Sequence, residues 1–230
     1  MAAKITPAYH HEPLNTSKNQ IRLLRIVTTC TSEESVSITL ETHDLETAPP
    51  YIALSYAWED PGLQYQNLTY PVNVDEASIQ VGRTLHTALI ELRDKIQELS
   101  EVSPLVDFPL WVDQICIDQS NIADRNHQVM MMASIYQTAE MVIVWLFEAH
   151  LEPDDLDLTF LDLSDESDYA CMERISSAFR ATYWTRLWVV QEVLLAKERH
   201  VLCPGGLLIS WRRMGDLHNH YKRDFVNTFV

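Results

Sequence analysis

The chain has 230 residues, 47% of them hydrophobic and 22% charged, a composition that suits one globular domain or one domain with an appended subdomain. Its formal net charge is −16, with nine acids between Glu148 and Asp168 and −7 left for the rest, so nucleic acid and anionic membrane surfaces are not expected partners. Only five Gly are present, and neither the dinucleotide-binding fingerprint nor a phosphate-cradling Gly-Lys loop occurs.

Residues 1–20, with Pro7, Pro13 and the pair His10-His11, read as an irregular arm without the apolar run of a signal peptide. No stretch of about 18 apolar residues follows that could span a bilayer. Cys30, Cys116, Cys171 and Cys203 are far apart and form no C-x-x-C pair, so neither a zinc knuckle nor a thioredoxin-type motif is expected, and the compartment reads as the reducing cytoplasm. Ile21–Thr28 and Ser35–Thr42 read as two strands of an N-terminal β-ribbon, the second alternating Val36, Ile38 and Leu40 with polar residues. Tyr51-Ile52-Ala53-Leu54-Ser55-Tyr56 is apolar enough for a buried central strand, and Pro61-Gly62 forces a loop after it. Ligands of open α/β sheets bind beyond the carboxyl ends of strands, which makes Ser55, Trp58 and Asp60 candidate site residues.

Residues 67–82 alternate as a ribbon, and Thr84–Leu99 carries a helical stripe through Leu85, Leu89, Leu92 and Ile96. Pro109–Gln119 reads as a second buried strand ending in polar groups. Asp113 stands out there, because a buried carboxylate without partners is expensive; Arg125 and the amides of the next helix start are candidate partners. Cys116 could act as a nucleophile only if a histidine reached it. Asn121, with Asp124 three residues on, can cap a helix through Val129, Met132, Ile135, Tyr136 and Ala139. Met141–Leu146 is a third short apolar strand, completing a β-α-β pattern and hence a parallel sheet flanked by helices.

The acidic stretch 148–167 reads as a solvated loop, with Asp154, Asp155 and Asp157 lacking the Gly that a calcium loop needs, so no metal is expected. A helix near Asp168–Arg180 follows. Tyr183–Ala196 favours another helix, with Thr185 as N-cap and Leu187, Val190, Val193, Leu194 and Ala196 as its apolar face. Trp188 and Glu192 stand four apart on one side, and an aromatic plane beside an anion suits a cationic heterocycle. Two strands around Pro204-Gly205-Gly206 come next. The stretch 212–230 reads as a C-terminal helix ending without a cap, as in a domain cut from a longer protein.

Three ordered blocks then carry a family resemblance: Leu54-Ser55-Tyr56-Ala57-Trp58; Leu110 to Gln119 with Arg125, Gln128, Met132, Ile135, Tyr136 and Ala139; and Tyr183 to Glu192. Over roughly residues 18–211 the chain resembles the fungal heterokaryon incompatibility (HET) domain. It departs from that pattern at Glu59 and Phe147, where the family commonly has Gly; the first departure bears on how closely a phosphate can approach that loop. The HET domain is in turn similar to TIR domains, which implies a flavodoxin-like α/β fold over residues 21–211, between the arm and the terminal helix.

Some TIR domains hydrolyse NAD with a helical Glu that follows a Trp by four residues, the spacing of Trp188 and Glu192 here. The resemblance therefore implies an NAD glycohydrolase, with NAD as substrate and no resident cofactor. Glu192 would be catalytic, Trp188 or Trp58 would stack on the nicotinamide, and Ser55, Asp60, Asp113 and Arg125 would line the pocket. It also implies a cell-death role after non-self recognition and homo-oligomer formation on activation. Two alternatives stay open: another nucleotide as substrate, or a signalling module without catalysis, in which Glu192 pairs structurally with Arg186 or Arg180.

Overall fold

The computed structural model describes residues 6–28, 35–58, 68–99, 108–156 and 166–221. Among them the strands in chain order are β1 (Gln20–Ile26), β2 (Val36–Asp44), β3 (Ile52–Tyr56), β4 (Thr69–Val74), β5 (Ala77–Gly82), β6 (Leu110–Trp111), β7 (Met141–Trp145), β8 (Arg199–Cys203) and β9 (Leu207–Ser210). The α-helices are α1 (Arg83–Leu99), α2 (Asp113–Cys116), α3 (Ile122–Thr138), α4 (Glu166–Arg180), α5 (Val189–Leu194) and α6 (Trp211–Tyr221).

Every residue of β3 and β7 is buried, which is why both read as unbroken apolar runs rather than alternating ones. They pair in parallel, from Ile52 opposite Met141 to Tyr56 opposite Trp145. Around them lies one mixed sheet in the order β5-β4-β2-β1-β6-β3-β7-β8-β9. Its parallel core is β6-β3-β7-β8, and β3 is the strand from which the chain departs first to one side and then to the other. The sequence-based ribbon at the N-terminus is not set apart: β1 and β2 are antiparallel, but Leu24 of β1 lies opposite Leu110 of β6, so the pair extends the sheet.

The apolar side chains form two clusters. One gathers Leu85, Leu89 and Leu92 of α1, Ile135 and Tyr136 of α3, and Ile143 and Trp145 of β7. The other gathers Val144 of β7 with Ile175 and Ala178 of α4, Val189 and Val193 of α5, and Met214 and Leu217 of α6. Toward the carboxyl end of β7, Ile143 and Trp145 serve the first cluster and Val144 the second, as the alternation of side chains along a strand requires.

Two elements differ from the sequence-based reading. The strand expected over Pro109–Gln119 stops at Trp111, and Asp113–Cys116 turns into α2, where Asp113 Oδ1 accepts the Gln114 amide at 2.7 Å. A carboxylate at the first position of a helical turn satisfies an otherwise orphaned N–H and ends the strand. Helix α5 begins at Val189 instead of after Thr185, which closes a 3-10 turn over Thr182–Thr185. Its buried face is therefore Val189, Glu192, Val193 and then Ala196, while Leu187 is 81%, Val190 56% and Leu194 67% exposed. Asn121 caps α3 as expected, accepting the amides of Ala123 and Asp124.

The described part of the arm is tied down. Tyr9 and Pro7 exchange backbone hydrogen bonds of 2.9 Å with Ser78, and His11 Nε2 lies 2.7 Å from Ile115 O. Arg22 completes this attachment: it donates to Glu12 O at 2.7 Å, to Cys116 O at 2.9 Å and to Asp124 Oδ2 at 3.0 Å. Arg22 and Asp124 are both buried, so one ion pair joins the arm, β1, α2 and the first turn of α3.

Candidate functional site

The carboxyl end of β3 carries Ser55 and Tyr56, and Trp58 follows in the loop. Beside it, β6 ends and α2 begins with Asp113, so both residues sit where parallel strands of a sheet open toward ligand. From the other side, the 3-10 turn Thr182–Thr185 and α5 bring Tyr183, Arg186 and Glu192. Burying Glu192 at 1% exposure on the inner face of α5 requires polar partners, and these come from β3. Ser55 donates its hydroxyl to Glu192 Oε2. Because that uses the one proton of Ser55, the hydroxyl of Tyr183, 2.6 Å away, is the donor toward Ser55 Oγ. A donor chain Tyr183→Ser55→Glu192 results.

The third group at Glu192 is Arg186, whose Nη1 lies 3.6 Å from Oε2 and whose guanidinium carbon lies 5.8 Å from the centre of the Tyr183 ring. At 3.6 Å this is an ion pair without a hydrogen bond, and Nη1 is a buried donor with no hydrogen-bond partner among the described residues. An unsatisfied buried donor costs about 1–3 kcal/mol. Burial pushes the Glu192 carboxyl above its ordinary value of 4.5; Arg186 and the Ser55 hydroxyl pull it back, and the Asp113 charge adds to the rise.

Asp113 forms the second carboxylate of the site. It accepts the indole N–H of Trp58 at 2.7 Å and the Gln114 amide at 2.7 Å. The Tyr56 hydroxyl donates to Gln114 Oε1 at 3.2 Å. Burial raises the Asp113 carboxyl as well, opposed first by the Trp58 bond. The partners that a buried carboxylate demanded are thus an indole and a backbone amide. Tyr183, Tyr56 and Tyr136 all have hydroxyls held well above their ordinary range by burial, so they are neutral donors.

Of the residues singled out in the sequence, the structure brings together Ser55, Trp58, Asp113 and Glu192. Trp188 is 42% exposed at the N-cap of α5, its carbonyl accepting the Glu192 amide at 3.1 Å, while the Glu192 carboxylate is held by Ser55 and Arg186 and not by the indole. Trp58, 39% exposed and bonded to Asp113, is the tryptophan of the site. Arg125 is exposed in the first turn of α3, and the buried ion pair of that turn belongs to its neighbour Asp124. Asp60 and Glu59 lie outside the described residues. Arg180, the other arginine weighed as a partner of Glu192, pairs with Glu173 at 2.7 Å.

Tyr183, Arg186, Tyr56 and Gln114 entered the site without being marked as binding groups. Tyr183 and Arg186 stood in the block that carries Glu192, and Arg186 was weighed there as its structural partner; the stretch read as helix, whereas the structure closes a 3-10 turn in which the Arg186 amide donates to Tyr183 O at 3.3 Å. Cys116 is fully buried, its thiol is pushed up to about 12, and it accepts the Val112 amide, so it is an inert core thiol. Among the described residues no three His, Cys, Asp or Glu are grouped to hold a metal ion.

Comparison with known proteins relates this chain to a family. The family model for heterokaryon incompatibility protein (HET) matches residues 51–192, a span that opens one residue before β3 and closes on Glu192. A curated relative, heterokaryon incompatibility protein 6, OR allele, of Neurospora crassa, is 33% identical over 142 residues, covering 60% of this chain and 20% of the relative. The match therefore spans about a fifth of that protein's length. No solved structure matches the chain. On the strength of the family match, the chain belongs to the heterokaryon incompatibility (HET) family.

Proposed function

We propose that this chain is a fungal incompatibility and cell-death effector domain acting as a TIR-like NAD glycohydrolase in the cytoplasm. The observation that carries the reading is Glu192, a carboxylate buried at the open end of the parallel strands and held ready by Ser55, Tyr183 and Arg186. The parallel core supports the TIR likeness: numbered along the chain, β6-β3-β7-β8 runs 2-1-3-4, the order that opens a flavodoxin-like sheet.

The chemistry asks little of the protein. The bond from ribose C1′ to the pyridinium nitrogen breaks with its electron pair going to the ring, so nicotinamide leaves as a neutral base and needs no proton. Positive charge develops on the ribose, and an ionised Glu192 stabilises it, as the anionic carboxylate of a retaining glycosidase stabilises an oxocarbenium-like centre. Water then bonds to C1′ and gives up a proton, which Glu192 or solvent takes, leaving ADP-ribose. Trp58 offers an aromatic face to the cationic ring next to the Asp113 carboxylate. Since Glu192 is 1% exposed and Arg186 lies 3.6 Å from its carboxylate, Arg186 moves aside to admit the ribose.

Chromatographic separation of nicotinamide and ADP-ribose after incubation of NAD with the purified chain tests the reading. Release of both in equal amounts, lost in Glu192→Gln, is the expected result; a folded protein that never produces them rejects it. A second reading, a non-enzymatic signalling module, is favoured by one observation: Leu187 and Trp188 just before α5 and Val190 and Leu194 on it are large apolar side chains left exposed. In that reading the Arg186–Glu192 pair is structural, and substitutions of these exposed side chains abolish signalling while those in the site do not.

A further inference from the structure

We propose that Arg186 is an anion-holding residue, forming beside Glu192 a subsite for the phosphate or diphosphate of a nucleotide. The inference rests on reading this cleft as a nucleotide site, and it does not require that the nucleotide be hydrolysed. With a net charge of −16, a chain that binds a phosphorylated ligand must supply a local cation. Arg186 is the cation of this cluster among the described residues, since Arg125 is exposed on α3 and Arg180 is paired with Glu173.

Its hydrogen-bonding state points the same way. A guanidinium carries five N–H donors in a planar fork suited to phosphate oxygens. Here Nη1 is buried without a hydrogen bond, 3.6 Å from Glu192 Oε2, and the side chain as a whole is 24% exposed. The group thus spans from the buried carboxylate to solvent with donor capacity in hand, its guanidinium carbon 5.8 Å from the centre of the Tyr183 ring. A doubly charged anion at the mouth competes with Glu192 for it. When Arg186 turns outward to that anion, Glu192 loses its cation and becomes open to the ribose that the same nucleotide carries.

Titration calorimetry with inorganic pyrophosphate and with ADP-ribose tests this on the wild type, Arg186→Met, Arg186→Lys and Glu192→Gln. Both ligands are expected to bind the wild type, to weaken tenfold or more in Arg186→Met and less in Arg186→Lys, and to tighten in Glu192→Gln, where the competing charge is gone. If Arg186→Met does not fold by circular dichroism, the Nε–Hε resonance of Arg186 in wild-type protein supplies the readout: it shifts on titration if the subsite exists. Equal affinity in wild type and Arg186→Met, an unmoved Arg186 resonance, or no binding at all overturns the proposal. Nicotinamide release measured on the same samples separates the two claims. Arg186-dependent ADP-ribose binding without release rejects only the hydrolase; release undiminished in Arg186→Met rejects only the subsite.

Discussion

At the scale of single residues, Glu192 is the least economical choice for its position. An apolar residue there would complete the buried face of α5 with Val189 and Val193, whereas the carboxylate must be compensated by Ser55 and Arg186. That cost has a measurable pH signature. Burial raises the Glu192 carboxyl above 4.5, and Asp113 shifts in the same direction, so the folded protein holds protons that the unfolded chain has released. Stability from these groups is therefore fullest below the ordinary carboxylate range and is lost as pH rises through the raised values. Denaturant melts across that window are expected to show Glu192→Gln gaining on the wild type as pH increases; a constant difference would argue that Glu192 is not desolvated. Nicotinamide release by the wild type should rise over the same window, because only the ionised carboxylate stabilises the ribose cation. Ser55, Trp58, Asp113 and Glu192 were legible as polar or aromatic groups in or just after buried runs. Arg186 was legible as a possible ion-pair partner of Glu192, which the 3.6 Å contact bears out; Tyr183 was not legible, because the stretch from Tyr183 reads as one continuous helix and the 3-10 turn that aims its hydroxyl at Ser55 leaves no periodic signal.

Among the elements, α5 shows where sequence periodicity fails. Leu187, Val190 and Leu194 offered an apolar stripe as good as that of Val189, Val193 and Ala196, and the stripe interrupted by a Glu is the one that packs. Two neighbouring substitutions separate these faces. Leu194→Ser is expected to change stability by less than about 0.5 kcal/mol, while Val193→Ser costs about 1 kcal/mol or more, read from thermal or denaturant melts. The reverse order would mean that the helix is rotated relative to this description. The long elements were legible: β3, β7, α1 and α3 lie where apolar runs and the Asn121 cap predicted them. The short ones were not, since β6 spans two residues and α2 four, and at that length one side-chain bond from Asp113 decides between strand and turn.

For the whole molecule, the HET match covers residues 51–192, yet strands and a buried ion pair from outside that span complete the sheet. Arg22 lies before it and pairs with Asp124 within it, at 3.0 Å and almost without solvent. Removing one member leaves the other charge buried alone, so Asp124→Asn or Arg22→Met is expected to destabilise the chain by about 3–5 kcal/mol in denaturant melts. A loss below about 1 kcal/mol would show that the N-terminal strands do not support the site. In the proposed hydrolase, Glu192 acts through its charge. Its most direct test is nicotinamide release from NAD, followed for hours at low and high protein concentration with wild type and Glu192→Gln side by side. The account predicts a rate two to three decades lower in the folded mutant, equivalent to about 3–4 kcal/mol, with wild-type release rising faster than linearly with concentration if assembly completes the site. Equal release by both proteins, or none by the wild type at any concentration, would contradict it.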